Sequence, residues 1–538
     1  MELINFIKKE TQISKRKIIS MASIAGITGA LLLAIVNVAA EQVANKDKEI
    51  EIQLFAFYMI FFLIHVGTQR YAQHNAVTAI ERALQSVRLR ITDKIRHVDL
   101  RFVEENSGIS SYTALSQSSN MITNSVISLV VVVESVLIFV VTGIYLAWLS
   151  PLTMIATFTI IIVAVPLYVN HYHKTTAELD NAGIYESQFF GHFSSILKGF
   201  KELKVNQDEN NEIYDDMSVF SQKIEEYKIS SNLRLLDDLL YSTVTMYLFL
   251  MVAVFVIPQF VPEQSSTVYK ISATLLFMMG PIGMFASALP NITKTDAAVN
   301  SLYRLESKVD KASQKHQDLA REEFLFEFDE IKLDNLTFSY KDKDENSIFS
   351  SGPIDFTLSP GELVFIIGGN GSGKSTFLKL LTGLYYPESG VIYLDGNFID
   401  QQNYPAYRSL FSLVFTDFHL FERVYGLDDI DPKEINYWLT EMGLNNKTRF
   451  VNGRFTNTDL STGQRKRLAF IVAVLKNRPI CIFDELAADQ DPSFRRHFYK
   501  FILPNLQAQG RTIIVVTHDE MYFDCCDRLV KLQDGKII

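Results

Sequence analysis

The stretch Gly368-Gly369-Asn370-Gly371-Ser372-Gly373-Lys374-Ser375-Thr376 decides how the second half of this chain folds. It completes the pattern G-x-x-x-x-G-K-[ST], in which the glycines let backbone N–H groups turn toward a polyphosphate and the lysine and hydroxyl face phosphates and Mg2+. Before it, residues 363–367 are continuously apolar, as a strand covered on both faces of a parallel sheet should be. After it, apolar residues recur at helical spacing until Gly383 and Pro387. The sequence therefore predicts a strand, a phosphate-binding loop and a helix.

Length and composition indicate a membrane protein of more than one domain. The chain has 538 residues, 48% of them hydrophobic, and its mean hydropathy is +0.11. A net charge of -10 argues against nucleic-acid binding, because phosphate contacts need a basic surface. The three cysteines lack the spacing of a disulfide framework or a metal site.

Six apolar stretches reach or approach the roughly 20 residues that cross a hydrocarbon core of roughly 30 Å. They cover residues 18–40, 54–67, 126–149, 152–169, 239–260 and 268–289. The first is too long for the core of a signal peptide, and uncharged neighbours allow the short second stretch to lengthen. We expect a membrane α-helical bundle of six transmembrane helices that contacts the lipid bilayer.

Basic residues predict the orientation of this bundle. Five Lys or Arg residues lie within residues 8–17 and seven within residues 70–101, whereas the segments after the first, third and fifth spans are short and poor in basic residues. The positive-inside bias then places both termini in the cytoplasm.

The loop after the second span has a helical pattern. Apolar residues between Leu84 and Val98 share one face, which predicts that spans two and three extend into the cytoplasm as helices. Ser107-Gly108 and Gly199 are the predicted reversal points. Peripheral helices lying on lipid are the alternative.

We expect a transmembrane domain over 1–306, a linker over 307–323 and a nucleotide-binding domain over 324–538.

Three apolar runs in this last domain each end in polar residues. The runs cover 363–367, 479–483 and 512–516 and lead into the phosphate loop, Asp484-Glu485 and Thr517-His518. Because ligands collect at the carboxyl ends of parallel strands, these residues are expected at one edge of an α/β sheet. Asp484 suits Mg2+ coordination, Glu485 can orient or polarise an attacking water, and His518 places an imidazole beside them.

The chain resembles the ATP-binding-cassette family. Leu460-Ser461-Thr462-Gly463-Gln464 resembles the family signature and lies between the phosphate loop and Asp484. Ser461 is suited to cap the next helix, whose N-terminus can bind a terminal phosphate. The resemblance implies a P-loop NTPase cassette, with ATP and Mg2+ as ligands.

The resemblance also implies a role for individual residues. The nucleotide contacts it implies are Tyr340, Gly368, Asn370, Gly371, Ser372, Gly373, Lys374, Ser375, Thr376, Thr416, Ser461, Gly463, Gln464 and Asp491. The implied Mg2+ ligands are Ser375, Asp484 and Thr416, and the implied catalytic residues are Glu485 and His518. Tyr340 matches the aromatic residue that stacks on adenine, although a tyrosine at a strand end is equally common in a core.

Four positions depart from the family pattern. Thr416 stands where the family has a glutamine that contacts Mg2+ and relays the nucleotide state to the membrane domain. Because a threonine side chain is shorter, the sequence does not predict whether this coupling is tight. Thr462 replaces a glycine of the signature. Asp489 and Gln490 replace small and aliphatic residues of the loop that contacts the second cassette.

One signature and one phosphate loop in one chain imply a homodimer with two shared ATP sites. Six spans followed by one cassette resemble an exporter-type half transporter. The combination of the stretches at 368–376, 414–421 and 483–496 resembles the bacterial cyclic-peptide and siderophore exporters, which handle pyoverdine, syringomycin and lasso peptides. This resemblance predicts ATP-driven peptide export at the bacterial inner membrane, and it leaves a periplasmic or outer-membrane partner open. The alternatives are a lipid or multidrug flippase of the same architecture and an ATP-gated channel or regulator that does not pump.

Two polar residues inside predicted spans are candidate substrate contacts. Glu134 lies in the third span, where a carboxylate costs about 2.5–3.5 kcal/mol on insertion scales, and His65 lies near the end of the second. Packing or hydrogen bonding within the bundle is the alternative role for both.

Overall fold

The computed structural model describes residues 2–11, 15–44, 52–105, 109–256, 259, 268–313, 327–341, 347–400, 402–427 and 431–538. The chain divides into two compact units. One comprises Met1–Asp93 with Gly108–Lys308, and the other comprises Lys94–Ser107 with Val309–Ile538.

The first unit is helical. The helices up to residue 313 are, in chain order, α1 (Glu2–Glu10), α2 (Lys15–Ala44), α3 (Ile52–Ile95), α4 (Leu100–Glu105), α5 (Ile109–Leu149), α6 (Pro151–Lys198), α7 (Phe200–Val205), α8 (Gln207–Met251) and α9 (Val268–Ser313). Val252–Val256 continues α8 as a π-helical turn. Helix α4 belongs to the second unit.

Among the described residues, four helices contain a segment long and apolar enough to cross a bilayer. These segments are Arg16–Val43, Ile52–Ile95, Ser119–Leu149 and Val268–Phe285. The other two predicted spans fall within α6 and within α8 with its π-helical continuation, in regions that are only partly described. The number of six spans therefore stays a prediction.

The predicted reversal at Gly199 coincides with a break between two helices. Helix α6 ends at Lys198, and the Gly199 N–H donates to the Ser195 carbonyl oxygen at 2.8 Å before α7 begins. Ser107-Gly108, the other predicted reversal point, lies outside the described residues.

An arginine clamp holds the N-terminal helix within the first unit. Arg90 of α3 donates two hydrogen bonds to the Glu10 carboxylate, at 2.9 and 3.0 Å, and two to the Glu306 carboxylate of α9, at 2.7 and 3.3 Å. The two carboxylate side chains are only 6% and 9% exposed. Paired geometry of this kind is what makes burial of these charges tolerable.

The second unit contains two main sheets. Its strands are β1 (Ile331–Lys341), β2 (Ser347–Leu358), β3 (Leu363–Ile367), β4 (Ser389–Leu394), β5 (Asn397–Phe398), β6 (Phe411–Val414), β7 (Phe450–Val451), β8 (Arg454–Phe455), β9 (Ile480–Asp484), β10 (Thr512–Val516), β11 (Arg528–Gln533) and β12 (Lys536–Ile537). The four-stranded antiparallel sheet has the order β2-β1-β4-β5, and the six-stranded sheet has the order β12-β11-β3-β10-β9-β6. The three apolar runs predicted from the sequence are thus the adjacent parallel strands β3, β10 and β9.

Helices cover the six-stranded sheet. They are α10 (Lys374–Leu381), α11 (Tyr404–Arg408), α12 (Pro432–Glu441), α13 (Thr462–Leu475), α14 (Pro492–His497), which continues as a π-helical turn, and α15 (Leu503–Ala508). Alternate residues of β3 enter different cores. Leu363 and Phe365 pack with α12 and α13, whereas Val364 and Ile366 pack with α10. Burial on both faces explains the unbroken apolar runs.

Helix α4 packs within the second unit. Glu104 accepts a 2.8 Å hydrogen bond from Lys379 Nζ and another from the buried Tyr385 hydroxyl, and Arg101 lies 5.8 Å from the ring centre of Phe338. Burial, followed by the hydrogen bond to Glu104, raises the pKa of Tyr385. These contacts were not predicted from the sequence.

Candidate functional site

The phosphate loop joins β3 to the start of α10. Gly373 precedes the helix with a left-handed φ of 95°, and a Cβ there would lie 3.2 Å from the Gly535 Cα atom. Glycine is therefore required on both conformational and steric grounds. Lys374, the first residue of α10, donates to the Gly368 and Gly369 carbonyl oxygens at 3.0 Å each. The loop holds its own lysine over its backbone.

The chemistry of this loop fits a polyphosphate. The Ser372 hydroxyl oxygen is buried and has no hydrogen-bond partner among the described residues. Because buried polar groups are normally paired, this hydroxyl fits a site in which a ligand supplies the partner. At Gly369 and Gly371 an added Cβ would meet open space, so the backbone there is accessible. The helix N-terminus behind Gly373 adds the favourable end of the helix dipole.

The carboxyl ends of β9 and β10 bring the two predicted catalytic residues together. Val516 pairs with Asp484 across the parallel strands, and the Glu485 N–H donates to the Val516 carbonyl oxygen at 3.1 Å. Glu485 lies one residue beyond β9 and His518 lies two residues beyond β10, and His518 Nε2 is 3.2 Å from Glu485 Oε1. The geometry suits a carboxylate that takes a proton from water while an imidazole holds its orientation.

Asp484 lies at the same edge but is 4% exposed. Burial raises the pKa of its carboxyl, and the charge of Glu485 adds to the effect, whereas hydrogen bonds from Thr416 and the charge of Lys374 oppose it. The Thr416 hydroxyl also donates to the Asp484 carbonyl oxygen at 3.5 Å, a long contact. A bound cation would relieve the buried carboxylate.

The residues that we expect to hold Mg2+ offer the right atoms. Ser375, Thr416 and Asp484 supply hydroxyl and carboxylate oxygens, which are the hard ligands that Mg2+ prefers beside phosphate oxygens. Within the described ranges there is no cluster of three or more His, Cys, Asp or Glu side chains, so no all-protein metal cage competes with this set.

Ser461 caps the signature helix α13, as predicted. Its hydroxyl accepts from the Gln464 N–H at 3.4 Å, and its own N–H donates to Gln464 Oε1 at 3.3 Å, which completes a capping box. Thr462 is the first residue of the helix and replaces the usual glycine without disturbing this cap. A shallow cleft opens here, lined by Gly443, Ser461, Thr462, Gly463, Gln464, Arg467, Asp489, Gln490 and Asp491.

Tyr340 lies at the end of β1 beside the phosphate loop. Its hydroxyl lies 3.5 Å from the Thr376 hydroxyl and 3.3 Å from the Tyr385 hydroxyl, and its ring contacts Phe338 edge to face. The residue is half-buried, so both the adenine-stacking role and the packing role stay compatible with its position.

Asp491 has a structural role beside its predicted nucleotide contact. It caps α14 by accepting from the Phe494 N–H at 2.9 Å, and it pairs with Arg467 at 3.0 Å. Hydrogen bonds from the Ser493 hydroxyl and the Phe494 N–H lower the pKa of Asp491 to about 2. Its charge is therefore maintained at neutral pH.

The two candidate substrate residues both have partners inside the helical unit. Glu134 is buried and accepts from Gln69 Nε2 at 3.1 and 3.3 Å. His65 Nδ1 lies 2.9 Å from the Ala25 carbonyl oxygen. The packing role accounts for both residues, and contact with substrate stays a prediction. Gln69, the partner of Glu134, was not predicted.

Three basic residues around the cleft also escaped the sequence reasoning. Lys466 Nζ donates to the Glu485 carbonyl oxygen at 3.0 Å, Arg467 bonds Gln490 and Asp491, and Arg495 donates to the Gln490 carbonyl oxygen at 3.0 Å. Helical spacing was the available signal for Arg467, because it lies one turn after Gly463 on the same face.

Comparison with known proteins gives consistent results. A family model described as ABC transporter matches residues 352–488. The chain is 30% identical over 532 residues to the ATP-binding protein SyrD of Pseudomonas syringae pv. syringae, which covers 95% of this chain and 92% of SyrD. It is 29% identical to an ATP-dependent lipid A-core flippase of Methylobacillus flagellatus over 49% of this chain and 46% of the flippase. A similar flippase of Blochmanniella pennsylvanica is 22% identical over 81% of this chain and 76% of its own length.

Among solved structures, the fold matches that of a bacterial Atm1-family ABC exporter with ATP bound. The TM-score is 0.78 at 17% identity, and the match covers 98% of this chain and 94% of the exporter. At this identity the likeness establishes the fold alone.

Proposed function

Because the chain belongs to the ABC transporter family as an exporter-type half transporter, whose cassette is an ATPase coupled to transport, we propose that it exports a peptide-like small molecule across the bacterial inner membrane. The proposed substrate class is a cyclic or lasso peptide, a lipopeptide or a siderophore. The combination of the stretches at 368–376, 414–421 and 483–496 supports this class by its resemblance to cyclic-peptide exporters. The likeness to SyrD extends over 95% of the chain, so support for an exporter is not confined to the cassette.

The observation that carries the catalytic part is the 3.2 Å contact between His518 Nε2 and Glu485 Oε1 at the strand edge. Glu485 accepts the proton of the attacking water, and His518 holds the carboxylate in place. Lys374 supplies a positive charge to the outer phosphates. Mg2+, held by Ser375, Asp484 and Thr416, would neutralise phosphate charge when bound.

The functional form is a homodimer. The signature at Ser461 and Gly463 is suited to bind a terminal phosphate, and we propose that this phosphate belongs to ATP on the phosphate loop of a second copy. Binding of two ATP molecules then closes the cassettes, and hydrolysis reopens them. Export follows if the inward and outward states differ in their affinity for substrate.

A reconstituted homodimer tests the catalytic and transport parts together. We expect a purified peptide or siderophore to raise ATPase activity and to accumulate in inside-out proteoliposomes. Glu485→Gln should lower ATP turnover by about 100-fold or more, because a general base contributes about that factor. Lys374→Ala should abolish turnover. Glu520→Gln, the same change at an exposed residue nearby, is the matched control and should leave turnover unchanged.

A lipid flippase is the second candidate, and the matches to lipid A-core flippases favour it. Stimulation of ATPase activity by lipids, with none by peptides, would decide for the flippase. Substrate flux that equilibrates and persists in Glu485→Gln would instead identify an ATP-gated channel.

A further inference from the structure

Gln490 is a polar residue in a buried position. The family pattern has an aliphatic residue here, and the Gln490 side chain is 5% exposed. Both ends of its amide are bonded: Oε1 accepts from Arg467 Nε at 2.7 Å, and Nε2 donates to the Gly463 carbonyl oxygen at 2.9 Å. A buried amide with both groups satisfied fixes its neighbours in one arrangement.

Further contacts join the same two segments, the start of the signature helix α13 and the loop 488–491. A Cβ at Gly463 would lie 2.9 Å from the Asp489 carbonyl oxygen, so the two backbones are in close contact. Lys466 pairs with Asp489 at 2.7 Å, and Arg467 pairs with Asp491 at 3.0 Å. Each residue from 489 to 491 is thus bonded to α13.

The loop 488–491 is tied equally to the catalytic edge. Arg495 donates to the Ala488 carbonyl oxygen at 2.9 Å, to the Gln490 carbonyl oxygen at 3.0 Å and to Asp519 Oδ1 at 3.0 Å. Asp519 directly follows His518 in the chain. A continuous set of hydrogen bonds therefore runs from the signature, through Gln490 and Arg495, to the residue beside the catalytic histidine.

We propose that Gln490 is a positioning residue that fixes the signature to the loop 488–491, so that each chain presents its signature and its catalytic edge as one rigid unit. The inference rests on the proposed function. There, the signature of each chain contacts ATP on the phosphate loop of the second copy, whereas its Glu485 acts on ATP bound to its own phosphate loop. A protomer whose signature has engaged nucleotide thereby holds its own Glu485 and His518 in register, which makes ATP hydrolysis cooperative between the two sites.

Gln490→Leu tests this inference. Leucine fills the same volume but leaves Arg467 Nε and the Gly463 carbonyl oxygen without the amide, so the two segments lose their link. In the reconstituted full-length dimer we expect kcat to fall about tenfold and the cooperativity in ATP concentration to disappear. The affinity for ATP, measured in the Glu485→Gln background, should change less than about twofold, because Gln490 is not a nucleotide ligand.

Gln507→Leu is the matched control. Gln507 also donates from its amide to a backbone carbonyl and a carboxylate, those of Gly361 and Asp527, but it lies away from the cleft. If Gln490→Leu and Gln507→Leu have the same kcat and the same cooperativity, the proposal is overturned. It is also overturned if the kcat loss of Gln490→Leu is accompanied by weakened ATP affinity and a fall in Tm, because a purely structural role predicts that combination.

These measurements need only basal ATPase activity. A failure to find a stimulating peptide would therefore count against the proposed substrate without affecting the comparison of Gln490→Leu with its control.

Discussion

Glu485 has a backbone conformation that residues other than glycine rarely adopt. Its φ is 49°, in the left-handed region, where a residue with a Cβ costs about 1–2 kcal/mol more than glycine. We therefore expect Glu485→Gly to have a free energy of unfolding about 1 kcal/mol higher than Glu485→Ala, although both lack the carboxylate and hydrolyse ATP only at background rate. Thermal unfolding of the two purified variants measures the difference in stability, and an ATPase assay measures the shared loss of turnover.

Glu434 provides the control for this comparison. It is exposed in the first turn of helix α12, where glycine is less stable than alanine by at most about 1 kcal/mol, so the order of the two variants should reverse. The same order at both positions would show that the strain assigned to Glu485 does not exist.

Single residues also show what could be predicted from the sequence. Glu485 and His518 follow two apolar runs that were predicted to be buried parallel strands, and because the carboxyl ends of parallel strands meet at one edge, the two residues were expected there together. The contacts of Gln490 could not be foreseen, because they depend on how the loop 488–491 folds back on Gly463, a residue 27 positions earlier. The residue type at one position does not predict such a loop conformation.

At the scale of elements, Asp491 determines where α14 begins. Replacing it by alanine should lower the free energy of unfolding by about 1 kcal/mol, whereas asparagine, which also caps, should retain most of that stability. The folded-state pKa of about 2 lies below the ordinary 3.8, so the carboxylate contributes stability above about pH 4 and loses it as pH falls toward 2. Because the side chain is 53% exposed, we expect this charge contribution to be only a few tenths of a kcal/mol.

Denaturation of the native chain and of Asp491→Asn at a series of pH values measures this contribution. The difference between them should shrink as pH falls below about 4, because protonation makes the native side chain as neutral as the amide. A difference that stays constant with pH would mean that only the shape of the cap matters.

Strands were easier to predict than small helices. The predicted strand over 363–367 agrees with β3, and the strand predicted over 479–483 is shifted by one residue from β9. Burial on both faces makes these segments apolar along their whole length, which a hydropathy pattern detects directly. Helix α4 has six residues, and its contacts with Tyr385 and Lys379 come from segments more than 270 positions away. No local pattern encodes that pairing.

At the scale of the whole chain, the division into units differs from a simple division by hydropathy. Hydropathy locates the segments that can contact lipid, and it predicted a boundary at a polar linker over 307–323. The structure continues α9 to Ser313, inside that linker, and groups Lys94–Ser107 with the cassette. Polar helices that extend from a membrane bundle look like linkers in a hydropathy profile. A water-exposed helix and an unstructured linker are both rich in polar residues, so hydropathy does not distinguish them.

The dimer can be tested without a structure of it, through complementation between two inactive variants. Lys374→Ala removes the lysine of the phosphate loop, and Ser461→Arg blocks the signature, so each variant alone should lack ATPase activity. If every ATP site combines the phosphate loop of one copy with the signature of the other, a mixed dimer concentrates both defects in one site and leaves the second site intact. Random pairing makes about half of the dimers mixed, so about a quarter of all sites should be intact, and activity should return to at most that fraction of the native value. If each chain instead completed its own site, both sites of the mixed dimer would be defective and activity would not return.

The control is a chain carrying both substitutions, coexpressed with the native chain. Its mixed dimers should contribute no activity, because one site would contain the substituted phosphate loop and the other would contain the blocked signature.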